Sequence, residues 1–416
     1  MIILESKTLT KGCAMLNLPT MDDIELRHKN VLVRLDLNLP VMNGKVSDAT
    51  RIIRSVPTIR DIIKVNGKAI LLSHFGRPKG KVDPNFSLEI VVDSVKNALK
   101  RDVIFIDTDW TDVSKAKKII DNAPLGSVFI MQNTRFHPGE ETNDAQLAAL
   151  MASLGEIYIN DAFSAAHRAH ASTEKLAHLL PSVVGRAMQR EIRALSDGLD
   201  KPQHPVIAII GGAKVSTKID LIENLLKKVD GLVIGGGMAN TFLYAMGVGI
   251  GNSLCEKDLA ETANRIMDKS EEEHCTIILP VDANVAWKFE ANAKHRYYGL
   301  DAMDPNGMIL DIGPSSIERI KGAIEEAKTI IWNGPLGAFE YEPFDTGTNE
   351  IAKFVAKRTR SGDLVSVAGG GDTVAALAQA GVIDDFTYVS SAGGAFLEWM
   401  EGKPLPGIEA LKANKL

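Results

Sequence analysis

Two kinds of segment alternate along the chain. Short apolar, β-branched runs occur at 31–37 (VLVRLDL), 69–73 (AILLS), 103–106 (VIFI), 127–131 (SVFIM) and 157–160 (IYIN). Six more follow at 206–210 (VIAII), 232–236 (LVIGG), 276–281 (TIILPV), 329–333 (TIIWN), 364–369 (LVSVAG) and 387–391 (TYVSS). The stretches between them carry helical periodicity. In 218–231, for example, Ile219, Leu221, Ile222, Leu225, Leu226 and Val229 fall at helix-like spacing. Wholly apolar strands alternating with helices predict parallel sheets covered on both faces, an α/β fold. A polar break with two prolines, LSDGLDKPQHP (195–205), follows a helical stretch at 185–195 and divides the strands into two series. Two open sheets fit that break better than one closed barrel.

The polar residues concentrate just after the strands. In the first half the strands run into RLDLNLP (34–40), SHFGRP (73–78), QNTRFH (132–137) and NDAFSAAHRAH (160–170). In open α/β sheets, ligands bind outside the strand carboxyl ends. Arg34, Arg51, His74, Arg77, Arg135, His167, Arg168 and His170 therefore suggest an anion site, because guanidinium forks match phosphate and carboxylate. Asp36 and Asn38 add the capacity to bind hydroxyls. One such Arg alone is most simply a surface ion pair; the convergence of several points to a small, strongly anionic, hydroxylated metabolite.

In the second half the strands run into glycines: GGAKVSTK (211–218), GGGMANTF (235–242), WNGPLGAFE (332–340), GGGDT (369–373) and SSAGGAF (390–396). Backbone N–H groups in such loops, and the helix N-termini they open, cradle phosphates. Lys214 and Lys218, four apart, are expected to share one helix face. Asp372 is a carboxylate inside a phosphate loop, a position suited to Mg²⁺. A single Gly run is most simply a tight turn; repetition at strand ends is harder to explain that way.

Composition narrows the field. The 416 residues carry a formal charge of −6 and a 45% hydrophobic share, which fits neither a disordered chain nor a general nucleic-acid binder. Three separated cysteines, Cys13, Cys255 and Cys275, form no disulfide framework and are expected to be buried in a reducing compartment. The start of the chain lacks the pattern of a secretory signal, so a cytoplasmic location is expected. The uncharged stretch 231–255 is long enough to span a bilayer, but its glycines and amides argue against a lipid-facing helix. There is no G-x-x-x-x-G-K-[ST], no G-x-G-x-x-G, no H-E-x-x-H and no G-x-S-x-G.

These motifs resemble those of the phosphoglycerate kinases over essentially the full length. RLDLNLP, SHFGRP, NDAFSAAHRAH, GGAKV, GGGMA, WNGPLGAFE, GGGDT and the closing EGKPLPGIEAL (401–411) stand in that family's order. The resemblance implies two Rossmann-like domains joined by a hinge helix. Residues 1–185 would bind 3-phosphoglycerate and 186–404 the nucleotide, with the tail 405–416 returning to the first domain. It implies a monomer that reversibly transfers the acyl phosphate of 1,3-bisphosphoglycerate to ADP by in-line transfer after hinge closure. Asp36, Asn38, Arg51, His74, Arg77, Arg135, His167 and Arg168 would form the phosphoglycerate site. Gly212, Ala213, Lys214, Lys218, Gly236, Leu310, Asn333, Gly334, Glu340, Gly371, Asp372 and Thr373 would form the ADP/ATP site, with Glu340 at the ribose and Asp372 on Mg²⁺. Arg51, Lys218, Gly393 and Gly394 would act on the transferring phosphoryl.

Two features depart from the family pattern. Ala392 and Phe396 replace a glycine and a small polar residue in the last glycine segment; Ala392 is expected at negative φ, with Phe396 turned away from the ligand. The segment LPTMDD (18–23) is closer to archaeal members. Two rival readings are a non-catalytic nucleotide sensor, which intact Arg51 and Lys218 oppose, and an NAD-dependent dehydrogenase, which lacks its fingerprint here.

Overall fold

The computed structural model describes residues 18–414, so Cys13 lies outside the described residues. The chain divides into two compact units, each described by itself. The first comprises the described residues up to Arg193 together with those from Pro404 onward; the second is Ala194–Lys403.

The first unit holds a six-stranded sheet of β1 (Asn30–Arg34), β2 (Lys68–Leu72), β3 (Ile104–Ile106), β4 (Val128–Met131), β5 (Ile157–Asn160) and β6 (Ser182–Val184). All pairings are parallel, in the order β3-β4-β2-β1-β5-β6. The strands β1, β2, β4 and β5 are buried almost throughout, as continuous Val, Ile and Leu runs require of a sheet covered on both faces, whereas the edge strand β3 is partly exposed. The strand β6 is absent from the hydrophobic pattern: it holds only two apolar residues, after Pro181 and Ser182. The helix α1 (Thr50–Lys64) packs Ile52, Val56, Ile59 and Ile62 into the core.

The helix α2 (Arg186–Leu195) runs through the boundary between the units. In the second unit β7 (Val206–Ile210), β8 (Gly231–Ile234), β9 (Thr276–Ile278), β13 (Thr329–Asn333), β14 (Val365–Ala368) and β15 (Tyr388–Val389) form the main sheet. Between β9 and β13 the chain forms β10 (Asp282–Ala286), β11 (His295–Gly299) and β12 (Met308–Ile312). The main sheet is parallel in the order β9-β8-β7-β13-β14-β15. Counting its own strands, that is the doubly wound order 3-2-1-4-5-6, with its switch point between β7 and β13. The strands β11-β10-β12 form a separate antiparallel sheet that the apolar runs do not reveal. Its strands mix polar and apolar residues, and β11 is largely exposed.

The second unit's helices include α3 (Ile219–Leu226), α4 (Gly236–Ala245), α5 (Thr346–Arg360), α6 (Gly371–Gln379) and α7 (Gly393–Met400). The final helix, α8 (Pro406–Ala413), belongs to the first unit: Gly407 N–H donates to Ala166 O at 2.9 Å, and the Asn414 amide to Ala177 O and Leu180 O. The 231–255 stretch is strand β8, helix α4 and a loop, and no described helix is long and apolar enough to cross a membrane. Cys275 is buried as expected. Cys255 is only half-buried, because it sits on the loop after α4.

Candidate active site

The first unit gathers its polar residues at the carboxyl ends of β1, β2, β4 and β5. The Arg51 guanidinium, on the first turn of α1, pairs with Asp36 at 2.9 Å and donates to Asn38 O at 2.9 Å. Asp36 also accepts from the Ser164 hydroxyl at 2.5 Å. The Asn38 Oδ1 accepts Gly76 N–H at 2.9 Å and so pins the SHFGRP loop to the loop after β1. Arg135 donates to Gly76 O at 2.9 Å and pairs with Glu141 at 3.1 Å. Arg77 and Arg168 are exposed, and His167 is half-buried beside Arg168. Asp36 with Arg51, Asn38 with Arg51 and Gly76, and Arg135 with Gly76 are thus tied together by hydrogen bonds, while Arg77, His167 and Arg168 come from the adjoining strand-end loops.

Two strand-end cations differ from expectation. Arg34 is fully buried and is not a surface donor: it lies behind the site, with Nε on Ser172 Oγ at 2.9 Å and Nη2 on His74 Nδ1 at 2.9 Å. It also donates to Leu35 O. His170 is buried too, and burial followed by Arg34, Arg135 and Arg168 pulls its imidazole down to about 4. Burial, then Arg34, Arg135, His170 and Arg51, holds His74 well below the ordinary histidine range. Both rings are uncharged at neutral pH.

In the second unit the glycine loops surround the switch point. Gly211 N–H donates to Asn333 O at 2.9 Å, and Gly334 N–H donates to the Thr373 hydroxyl at 2.7 Å. The backbones approach so closely that a Cβ on Gly211 would lie 1.8 Å from Pro335 O. Gly236 opens α4 at φ +66, with room for a Cβ only 2.7 Å from Gly212 O. Beside these loops lies a cavity of about 560 Å³, lined mostly by apolar groups. Gly212, Ala213, Gly236, Leu310, Glu340 and Asp372, all from the expected nucleotide set, line it.

Lys218, Asn333, Gly334, Gly371 and Thr373 are not on that wall. Lys218 donates to Asn333 Oδ1, and the Asn333 amide donates to Gly369 O at 2.8 Å, so this group ties the loops together. Burial lowers the Lys218 ammonium, opposed by Glu401 and Asp372. Lys214 is exposed and does not share a helix face with Lys218. A 3₁₀ turn, Val215–Thr217, separates them, and α3 begins only at Ile219. Asp372 is exposed in the first turn of α6, and no group of three or more His, Cys, Asp or Glu among the described residues could hold a metal alone.

Gly393 and Gly394 open α7, where the first N–H groups lack intrahelical acceptors. Ala392 has φ −102, as expected for an L-residue that avoids strain. Phe396 is fully buried and lies against Gly369. The sequence reading missed a wall of the cavity: Leu254, Phe289, Met308, Pro335 and Leu336 line it. Phe289 and Met308 come from the antiparallel insertion, and no periodicity marks them as ligand-facing.

Residues 21–403 match the family model described as phosphoglycerate kinase. The chain belongs to the phosphoglycerate kinase family. It is similar to the phosphoglycerate kinase of Rhodopseudomonas palustris, 61% identical over 395 residues that cover 95% of this chain and 98% of the relative. It is 58% identical to that of Brucella melitensis over 393 residues, with 94% and 99% covered. Among solved structures, the phosphoglycerate kinase of Coxiella burnetii superposes with a TM-score of 0.89 at 42% identity, covering 96% of this chain and all of that one. The Pyrococcus horikoshii enzyme gives 0.79 at 28% identity, with 95% and 99% covered. The archaeal flavour of LPTMDD therefore does not extend along the chain. As a phosphoglycerate kinase, the enzyme carries the glycolytic phosphoryl transfer between 1,3-bisphosphoglycerate and ADP.

Proposed function

We propose that the first unit binds 3-phosphoglycerate through Asp36, Asn38, Arg51, His74, Arg77, Arg135, His167 and Arg168. The second unit binds the adenine nucleotide in the cavity beside the glycine loops. The observation that carries this division is the contrast in lining: cationic side chains in the first unit, apolar walls and backbone N–H groups in the second. An apolar slot suits a base and ribose, while a converging set of arginines suits a phosphorylated carboxylate.

Mg²⁺ fits the residues present. Asp372 is an exposed carboxylate in the cavity lining, and Mg²⁺ typically takes one or two carboxylates plus phosphate oxygens and water. Bound there with the nucleotide, it supplies charge neutralisation on the phosphates. The protein's own part is positioning. The acceptor in the ATP-consuming direction is a carboxylate already ionised at neutral pH, so no general base is required. Arg51, Lys218 and the free N–H groups of Gly393 and Gly394 offset charge on the transferring group. Transfer between ligands held on separate units requires closure through α2, which also excludes water from the acyl phosphate. The working species is a monomer in the cytoplasm.

Asp372→Asn is expected to weaken calorimetric Mg²⁺–nucleotide binding by on the order of tenfold or more, and to leave 3-phosphoglycerate binding intact. Equal loss of both would defeat the assignment. Solution scattering is expected to show a smaller radius with both ligands than with either alone; an unchanged radius would exclude closure.

A further inference from the structure

Arg34 is one of the largest fully buried side chains in the protein, and the phosphoryl chemistry gives it no direct role. Its charge is compensated at one remove. The Ser172 hydroxyl accepts from Arg34 Nε and donates to Glu140 Oε1 at 2.5 Å, and Ser172 N–H reaches Glu140 Oε2 at 3.1 Å. Glu140 is itself fully buried and also accepts from the Thr134 hydroxyl at 3.2 Å. Tyr158, buried in β5, donates to Ser172 O at 2.8 Å. The guanidinium is thus held through Nε by Ser172 and through Nη1 by Leu35 O, and its remaining nitrogen, Nη2, meets His74 Nδ1 at 2.9 Å.

A guanidinium can only donate. The Nδ1 facing it must therefore be the unprotonated acceptor, and the ring proton must sit on Nε2. We propose that Arg34 is a positioning residue that holds His74 as the uncharged, Nε2-protonated tautomer, so that His74 offers phosphoglycerate a fixed hydrogen-bond donor and not a second cation. This rests on the reading that His74 faces phosphoglycerate. The charged and titratable groups around the ring are Arg34 from β1, Arg51 from α1, Arg135 from the loop after β4 and His170 from the loop after β5. All disfavour an imidazolium, so the tautomer should persist across the working pH range. A site crowded with arginines gains geometric definition from a neutral donor without adding like-charge repulsion.

Nitrogen NMR on the isotope-labelled wild-type enzyme reads the ring directly. The expected result is an unprotonated Nδ1 and a protonated Nε2 from about pH 6 to 8. An Nδ1–H tautomer or an imidazolium at pH 7 would overturn the proposal. Arg34→Met alone strands the Glu140 charge and risks unfolding, so the informative variant is Arg34→Met with Glu140→Gln, which removes both charges. It is expected to show a mixture of His74 tautomers and a KM for 3-phosphoglycerate raised about tenfold, with the nucleotide KM unchanged. A ring that stays purely Nε2-protonated in that variant would show that Arg34 does not set it. His74→Gln, which keeps a neutral amide donor, should retain a lower phosphoglycerate KM than His74→Ala. Equal, wild-type KM values in both, with the wild-type tautomer as expected, would overturn the donor role and count against the site assignment itself.

Discussion

At the carboxyl end of the first sheet the chemistry rides on side chains: Arg51 on Asp36, Arg34 on His74, Arg135 on Gly76 O. At the carboxyl end of the second it rides on backbone: Gly211 against Pro335, Gly236 against Gly212, and the open N-termini of α6 and α7. A small, highly charged ligand is discriminated by charge and fork geometry, which side chains supply. A nucleotide presents a flat base and a flexible phosphate chain, which an apolar wall and a row of N–H groups accommodate. The two regions should therefore fail differently when altered, one through rate and charge, the other through backbone fit.

The largest effect is expected at Arg51. Its guanidinium is already held by Asp36 and Asn38 O, so it is preorganised before any ligand arrives. Loss of one such donor costs on the order of 10²–10³ in rate. Arg51→Ala should therefore lower kcat by that factor, with a much smaller change in the KM for 3-phosphoglycerate. Steady-state kinetics check it, and a kcat within a few-fold of wild type would remove Arg51 from the transfer step.

In the second region the corresponding break is Gly211→Ala. The added Cβ would fall 1.8 Å from Pro335 O, a backbone atom that cannot swing away. Overpacking of this kind typically costs about 1–3 kcal/mol. Chemical denaturation should show that loss, and the nucleotide KM should rise while the phosphoglycerate KM holds. An unaltered nucleotide KM would mean that the switch-point backbone does not shape the nucleotide site.

The same contrast decides what the sequence could disclose. His74, Arg135 and Arg168 stood out because cations recur after successive strands, with Arg51 close behind the first of them on α1, and most strands stood out because buried strands must be apolar. Phe289 and Met308 were not visible, since the insertion β10–β12 is short, partly exposed and polar enough to escape a search for apolar runs. The burial of Arg34 was hidden for another reason. A buried guanidinium needs Glu140 and Ser172, which lie more than a hundred residues further along the chain, and only the fold brings them together. The spacing of Lys214 and Lys218 misled because it presupposed a helix where a 3₁₀ turn stands.

A smaller effect belongs to the first region and depends on pH. His170 has its pKa in the folded state lowered to about 4, against about 6.5 for an unperturbed histidine. Between those values the unfolded chain binds the proton that the folded chain refuses. The unfolded state then carries more protons, so stability rises with pH and is lost as pH falls from about 6.5 toward 4. Asp161, fully buried and pushed up to about 7, contributes with the opposite sign, because the folded state keeps its proton longer. Comparing wild type with His170→Gln isolates the histidine: the wild type should lose stability relative to the variant as pH drops through that window. Parallel denaturation curves across it would show that His170 is not held neutral.

The smallest expected change lies in the glycine-rich region but at its one alanine. Ala392 precedes α7 at φ −102 and ψ 42, is almost fully buried, and accepts Phe396 N–H at 2.9 Å through its carbonyl. A glycine there would gain no strain relief, since the backbone is already in a region open to L-residues. It would lose a buried methyl, worth about 0.8 kcal/mol, and would free the unfolded chain by roughly 0.4–1 kcal/mol. Glycine's modest advantage over alanine at helix starts works the other way, but it applies to extended caps, and ψ 42 is not extended. The balance predicts that Ala392→Gly is destabilised by about 1–2 kcal/mol with kcat nearly unchanged, because the N–H groups offered to the ligand belong to Gly393 and Gly394. Denaturant titration and steady-state assays on the one variant check both halves. A stabilised protein would mean that the loop is strained after all, and a large fall in kcat would mean that the methyl sets the direction of α7.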